Sequence, residues 1–263
     1  MPMGLRQGKL ASDWADWRRV LLDLIFPPRC VGCAARGAWL CPRCRSALPR
    51  LSPNHRLWCG IPSAPSRAGR LGDGPNPPAS IPAQTALGLP LYPACRQARP
   101  ALDGLHADYS FEGVLRTAIH QLKYRRARHL AAPLGELLLE SLEAAAPVDA
   151  LVPVPLHPSR LTERGYNQSA LLAAEVARAT GLPLADGPLR RVRPTEPQMA
   201  LPAARRRANV AGAFAVQGRE LAGLRVLLVD DVCTTGSTLQ ACAEALKAAG
   251  CTEVWGLTLA RAR

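Results

Sequence analysis

Two adjacent carboxylates, Asp230 and Asp231, end the apolar run Val226-Leu-Leu-Val229 and lead into Thr234-Thr-Gly-Ser-Thr238. A helical pattern follows, Leu239 to Ala249, stopped by Gly250. Neighbouring carboxylates accept hydrogen bonds from hydroxyl groups. A hydroxyl- and glycine-rich turn opening a helix offers an anion backbone N–H groups, side-chain hydroxyls and room for close approach. Hydroxyls on the carboxylates and phosphate on the loop together describe a ribose 5-phosphate. A strand, an Asp turn and a Ser/Thr cap would explain each feature singly, but not all of them in this order.

A second group with chemistry is Cys30-x2-Cys33-x7-Cys41-x2-Cys44. Each C-x2-C pair can present two thiolates to one metal through a turn, and the short spacer brings the two turns together as a tetrahedral Zn²⁺ site. Four thiolates leave no open coordination position, so the expected role is structural; the metal would also stabilise a segment too small to build a core. Cys59 and Cys95 look like remnants of a second such set. Arg56 and Tyr92 stand where their partner cysteines would be, and His55 adds only a third ligand, so no second zinc is expected.

These groups need elements to position them. Four apolar residues ending in a turn predict a central strand at Val226–Val229, buried on both faces. In an open α/β sheet, ligands bind beyond the carboxyl ends of the strands, where Asp230 and Asp231 would stand. Upstream, Ala107–Phe111 alternates as a strand. Val114–Leu122 and His129–Ala145 are spaced as helices, and Asn167 opens a helix that Gly181 stops. Leu151–Leu156 reads as a strand, yet Pro153 and Pro155 cannot donate to a ladder, so it ends there or lies on an edge. Leu189–Val192 and Ala213–Val216 are short strands, and Glu253–Ala260 is the last. Strands alternating with helices predict a mostly parallel sheet covered on both faces.

The rest of the chain sets limits. Its 263 residues suffice for one domain and an appendage, and 48% apolar content permits a core. Net charge is +13, but only Lys9, Lys123 and Lys247 are lysine, a bias that genome composition can also produce. Its distribution is more telling: eight arginines and no carboxylate lie between Leu24 and Gly72. That stretch suits a polyanion such as single-stranded DNA, with Trp39 and Trp58 as the few stacking residues of the zinc module. Clustered cysteines with no disulfide-framework spacing, no cleavable leader and no membrane-length apolar segment point to a cytoplasmic protein. Residues 1–26 read as a tail and a short amphipathic helix from Ser12, 27–59 as a zinc module, 60–92 as a disordered Pro/Gly/Ser/Ala-rich insertion, and 93–263 as the α/β domain.

Asp-Asp followed by Thr-Thr-Gly-x-Thr resembles the phosphoribosyl pyrophosphate (PRPP) signature of type I phosphoribosyltransferases. Further stretches match the ComF/ComFC family of competence-associated proteins: Leu122-Lys-Tyr124; Val152-Pro-Val-Pro-Leu156 running to Arg160; Arg164-Gly-Tyr-Asn-Gln168; and Thr195 through Gln198, Leu201, Arg206 and Asn209 to Phe214. The four-cysteine ribbon behind Phe26-Pro-Pro belongs to the same pattern. The resemblance implies a type I phosphoribosyltransferase-like parallel sheet flanked by helices, with a small N-terminal four-cysteine zinc ribbon. It implies that Asp230 and Asp231 hold the ribose hydroxyls with Mg²⁺, as the catalytic pair if the chain is an enzyme. Thr234, Thr235, Gly236, Ser237 and Thr238 would cradle the 5-phosphate. Lys123, Arg160 and Arg164 are the candidates to neutralise pyrophosphate, which these enzymes bind at the turn after Pro153-Val-Pro155. Arg190, Arg191, Arg193, Arg205 and Arg207 read as solvated charges. The family's partners would be PRPP or a related ribose phosphate, single-stranded DNA, and a competence helicase or other DNA-processing proteins. Three functions stay open: assistance to DNA uptake in transformation, an active phosphoribosyltransferase with an unnamed acceptor, and a non-catalytic PRPP sensor.

Overall fold

The computed structural model describes residues 27–51, 101–142, 147–195 and 208–262. The helix expected from Ser12, the insertion, Cys59, Cys95, and Gln198 to Arg206 lie outside them. The chain divides into two compact units, residues 1–47 and 48–263.

In the first unit, the backbone folds tightly around the cysteines. Ala34 N–H returns to the Cys30 carbonyl and Cys30 N–H to that of Ala35, each at 2.8 Å, with Ala34 at φ +59° to close the turn. Helix α1, Pro42–Ser46, starts at Cys41, whose sulfur takes the place of a polar cap by accepting from Cys44 N–H. Proline fits the first helical position because its missing N–H would have had no partner there.

The second unit is built on four parallel strands in the order β1–β6–β5–β2: β1 (Gly104–Ser110), β2 (Ala150–Pro153), β5 (Arg225–Cys233) and β6 (Glu253–Arg261). As expected, β5 is central and Val226–Val229 are inaccessible to solvent. Its side chains alternate. Val226 and Leu228 join Leu105, Val152 and Val254 in one core layer with Leu239, Cys242 and Leu246 of helix α6 (Ser237–Ala248). Leu227 and Val229 turn to the other face, covered by α3 (Ala131–Leu142) and α5 (Gln168–Thr180). Those two helices pack closely because Gly135 has no side chain: a Cβ there would stand 2.4 Å from that of Glu175. Helix α2 (Gly113–Tyr124) and the short α4 (Pro158–Arg164) flank the carboxyl ends of the strands, and β3 (Leu189–Arg191) pairs antiparallel with β4 (Phe214–Val216) as a separate two-stranded sheet beside α6.

Both sheet edges are covered. Residues 49–51 bridge to β1, with Leu51 N–H on the Asp108 carbonyl and Ser110 N–H on that of Pro49. Leu184 bridges to β2 at Leu151. Between Pro153 and Pro155, Val154 N–H still reaches the Val229 carbonyl of β5 at 2.9 Å. Covering an edge in this way prevents its unpaired N–H and C=O groups from templating another strand.

Several boundaries differ from the sequence expectation. Strand β5, expected over Val226–Val229, runs from Arg225 through Asp230 and Asp231 to Cys233, because its pairing with β6 continues past the apolar run. Strand β1 begins at Gly104, not Ala107, and is buried along its whole length, including His106, Asp108 and Ser110. Its polar alternation therefore does not mark a wet face. The helix expected from His129 is preceded by a 3₁₀ turn at Arg128–Leu130 and becomes α-helical at Ala131.

Candidate functional site

In the carboxyl-terminal half of β5, Asp230 and Asp231 turn to different partners. Asp230 Oδ1 accepts from Ser169 Oγ at 2.8 Å and from the N–H of Asp231 at 2.9 Å. Ser169 reaches it because Asn167 starts α5 there: Asn167 Oδ1 accepts from Ser169 N–H and its Nδ2 donates to the Val154 carbonyl. That second bond ties the helix start to the turn after β2. Asp231 is buried, and Lys123 Nζ of α2 lies 2.7 Å from its Oδ1. Asp231 Oδ2 is buried and has no hydrogen-bond partner among the described residues.

Electrostatics follow from this crowding. Burial, and next the Asp231 charge, raise the Asp230 pKa to about 7, against the lowering effects of Lys123 and Ser169. Burial works against the Lys123 ammonium, but Asp231 more than offsets it, and its pKa lies above the ordinary lysine value.

After Cys233 the chain turns through Thr234, Thr235 and Gly236 into α6. Gly236 sits at φ +74°, a conformation that any side chain would strain, and no side chain caps the helix from that position. Thr235 Oγ1 lies 2.8 Å from Ser237 Oγ, so two hydroxyls converge at the helix start. The arrangement joins backbone dipole, hydroxyls and carboxylates at one end of the sheet.

Of the basic candidates, Lys123 is in contact with the carboxylates. Arg164 lies over the Tyr124 ring, 5.1 Å from its centroid, and bonds to Gln168. It thus joins the residues next to Lys123 and next to Ser169. Arg160 pairs with Glu163 at 3.0 Å on the exposed side of α4. Two arginines read as solvated charges are engaged instead. Arg193 donates to the carbonyls of Asn209 and Ala211. Arg191 is half-buried over Phe214 and bonded to Thr195, its pKa lowered by burial. Sequence reading did not find Ser169; its one signal was a hydroxyl in the first helical turn after Arg164-Gly-Tyr-Asn-Gln168.

The cysteine cluster belongs to the first unit. The sulfurs of Cys30, Cys33, Cys41 and Cys44 all lie within 4.8 Å of one another. Tetrahedral Zn–S bonds of about 2.3 Å would set them roughly 3.8 Å apart, and Cys33 and Cys41 already stand at 3.6 Å. N–H groups of Gly32 and Cys41 point at Cys30 Sγ. Burial opposes its ionisation, yet these bonds prevail and bring its pKa down to about 6, while the bond to Cys30 and burial push Cys44 up to about 12. Donor type, number and spacing fit Zn²⁺. At the carboxylates the oxygen donors, including the unsatisfied Asp231 Oδ2, suit Mg²⁺.

Residues 167–263, which carry the acidic strand β5, the Thr234–Thr238 turn and β6, match the family model of the phosphoribosyl transferase domain. Residues 21–73 match a double zinc ribbon. The chain is 35% identical over 208 residues to the DNA utilization protein YhgH of Salmonella typhi, covering 75% of this chain and 89% of that protein. It is 43% identical over 116 residues to competence protein F of Haemophilus influenzae, covering 43% and 51%. The chain belongs to the ComF family of these proteins. A solved allosteric regulatory enzyme of purine biosynthesis aligns at TM-score 0.34 and 27% identity over 49% of this chain, which spans a quarter of that enzyme's chain. Among the described residues no helix is long and apolar enough to cross a membrane.

Proposed function

We propose that the chain binds PRPP or a related ribose phosphate beyond β5 and assists DNA uptake by contacting single-stranded DNA. The observation that carries the ligand reading is Asp230–Asp231 abutting the Thr234–Thr238 turn, with Lys123 at 2.7 Å from the acidic pair. Asp230 and Asp231 face the ribose hydroxyls, the turn takes the 5-phosphate, and Arg164 and Arg160 meet the pyrophosphate end from the α4 side. Mg²⁺, when bound, neutralises charge on that leaving group. Calorimetry with PRPP and Mg²⁺ tests this: the wild type binds and Asp230→Asn/Asp231→Asn does not. Equal heats from both proteins overturn it.

The DNA reading rests on the arginines around the cysteine module and on the names of the relatives, a competence protein and DNA utilization proteins. Zn²⁺ on Cys30, Cys33, Cys41 and Cys44 holds that module in shape. DNA-processing proteins of the transformation machinery are the partners expected in a cytoplasmic setting. A transferase reading is favoured by the phosphoribosyltransferase domain itself. Pyrophosphate release on adding candidate bases separates an enzyme from a PRPP sensor.

A further inference from the structure

We propose that Lys123 is the resident counter-cation of the Asp230–Asp231 pair, and that the pair takes a divalent cation only after an anionic ligand group has drawn the Lys123 ammonium away. The identity of that ligand rests on the ribose-phosphate reading; the competition between ammonium and metal does not.

Lys123 is not a loose surface lysine. It sits in the last turn of α2, with its side chain 21% exposed and that of Asp231 4% exposed. Two arginine–tyrosine contacts brace this helix end against the turn at Gly165. Arg128 donates to the Gly165 carbonyl at 2.9 Å and lies 4.6 Å from the Tyr166 ring centroid, while Arg164 crosses the other way onto Tyr124. The Tyr166 hydroxyl in turn bonds to the carbonyl of Leu122, next to Lys123. The backbone that carries the ammonium is therefore fixed, and the side chain alone is left to move.

Each carboxylate of the acidic pair has one oxygen engaged. Asp230 Oδ1 is held by Ser169 and the Asp231 N–H, and Asp231 Oδ1 by Lys123. The buried Asp231 Oδ2 is unsatisfied and aimed at no other described group. A metal ion on Oδ2 would share one carboxylate with the ammonium, and like charges so close repel strongly. A diphosphate changes the balance. It offers Lys123 a more highly charged partner and supplies oxygens that complete the shell of a cation such as Mg²⁺, which prefers one or two carboxylates plus substrate phosphates. Metal and ligand then enter together.

Manganese(II) titrations read by electron paramagnetic resonance, without any phosphate ligand, test this. Lys123→Gln keeps an amide donor for Asp231 but removes the charge; Lys123→Arg keeps the charge. The Gln variant is expected to bind one Mn²⁺ on the order of tenfold or more tightly than wild type, and to lose it when Asp231→Asn is added. The Arg variant should resemble wild type. Equal manganese affinity in wild type and Lys123→Gln would overturn the proposal. A second readout uses the unmutated chain, whose only lysines are Lys9, Lys123 and Lys247. Acetylation followed by mass spectrometry should find Lys123 protected in the free protein and still protected in Mn²⁺ alone. Its exposure by Mn²⁺ alone would also overturn the proposal. Failure of wild type to bind PRPP would remove the ribose-phosphate reading, whereas the manganese comparison contains no PRPP and decides the role of Lys123 separately.

Discussion

Asp230 and Asp231 are adjacent in the chain yet differ in what they ask of the protein. Asp230 holds a proton up to about pH 7, whereas an unperturbed carboxyl releases it near 3.8. The folded chain thus binds more protons than the unfolded one between those values. Stability from this group is fully present below about pH 4 and is lost as pH rises toward 7. Subtracting denaturant midpoints of Asp230→Asn from wild type across that window should reveal this falling slope; a flat difference would show that the carboxyl titrates normally. Lys123→Ala acts on stability directly. It leaves Asp231 buried without its partner and should cost about 3 kcal/mol in urea unfolding. The carboxylates, the hydroxyl turn and the four cysteines were legible in sequence because each set is contiguous and carries its own chemistry. The contacts of Lys123 with Asp231 and of Ser169 with Asp230 were not, since each joins helix and strand across a long stretch of chain. Only the packing of α2 and α5 against β5 brings them together.

Elements were read best where local rules decide them. Helix α5 starts at Asn167 and stops at a left-handed Gly181, as the cap and stop residues predict. Strand β1 was misjudged at its start, because burial on both faces is set by neighbours that periodicity does not see. Asn167 has consequences beyond its helix. Asn167→Ala removes the Ser169 N–H cap and the bond to Val154, so a loss of about 1–2 kcal/mol is expected. Because Ser169 then loses its anchor beside Asp230, PRPP affinity should fall as well. Ser169→Ala provides the control: affinity should drop with a smaller change in unfolding midpoint. The cysteine module should respond to a different treatment. With Zn²⁺ stripped by a chelator, amide resonances of residues 28–46 should collapse while those of β5 and β6 stay in place, because metal binding supplies folding energy that this module's core does not.

At the scale of the whole molecule, net charge of +13 has to be put to use or merely tolerated. Eight arginines between Leu24 and Gly72, unbroken by any carboxylate, concentrate part of it near the cysteine module. If these arginines track a phosphate backbone, binding is driven by counterion release and must weaken as salt rises. For single strands the slope of log K against log salt is about −0.7 for each phosphate neutralised. Fluorescence anisotropy with a labelled single strand should therefore show binding at low salt that declines linearly on that plot. Arg43→Ala/Arg45→Ala should make the slope shallower by roughly 0.7 for each phosphate that the missing guanidinium groups had neutralised. Sequence dependence should be slight, because backbone contacts position a strand without reading its bases. Asp230→Asn should leave the slope unchanged, since Asp230 belongs to the other compact unit. No binding at low salt, or binding indifferent to salt, would remove single-stranded DNA from the functional reading and leave the ribose-phosphate site to stand alone.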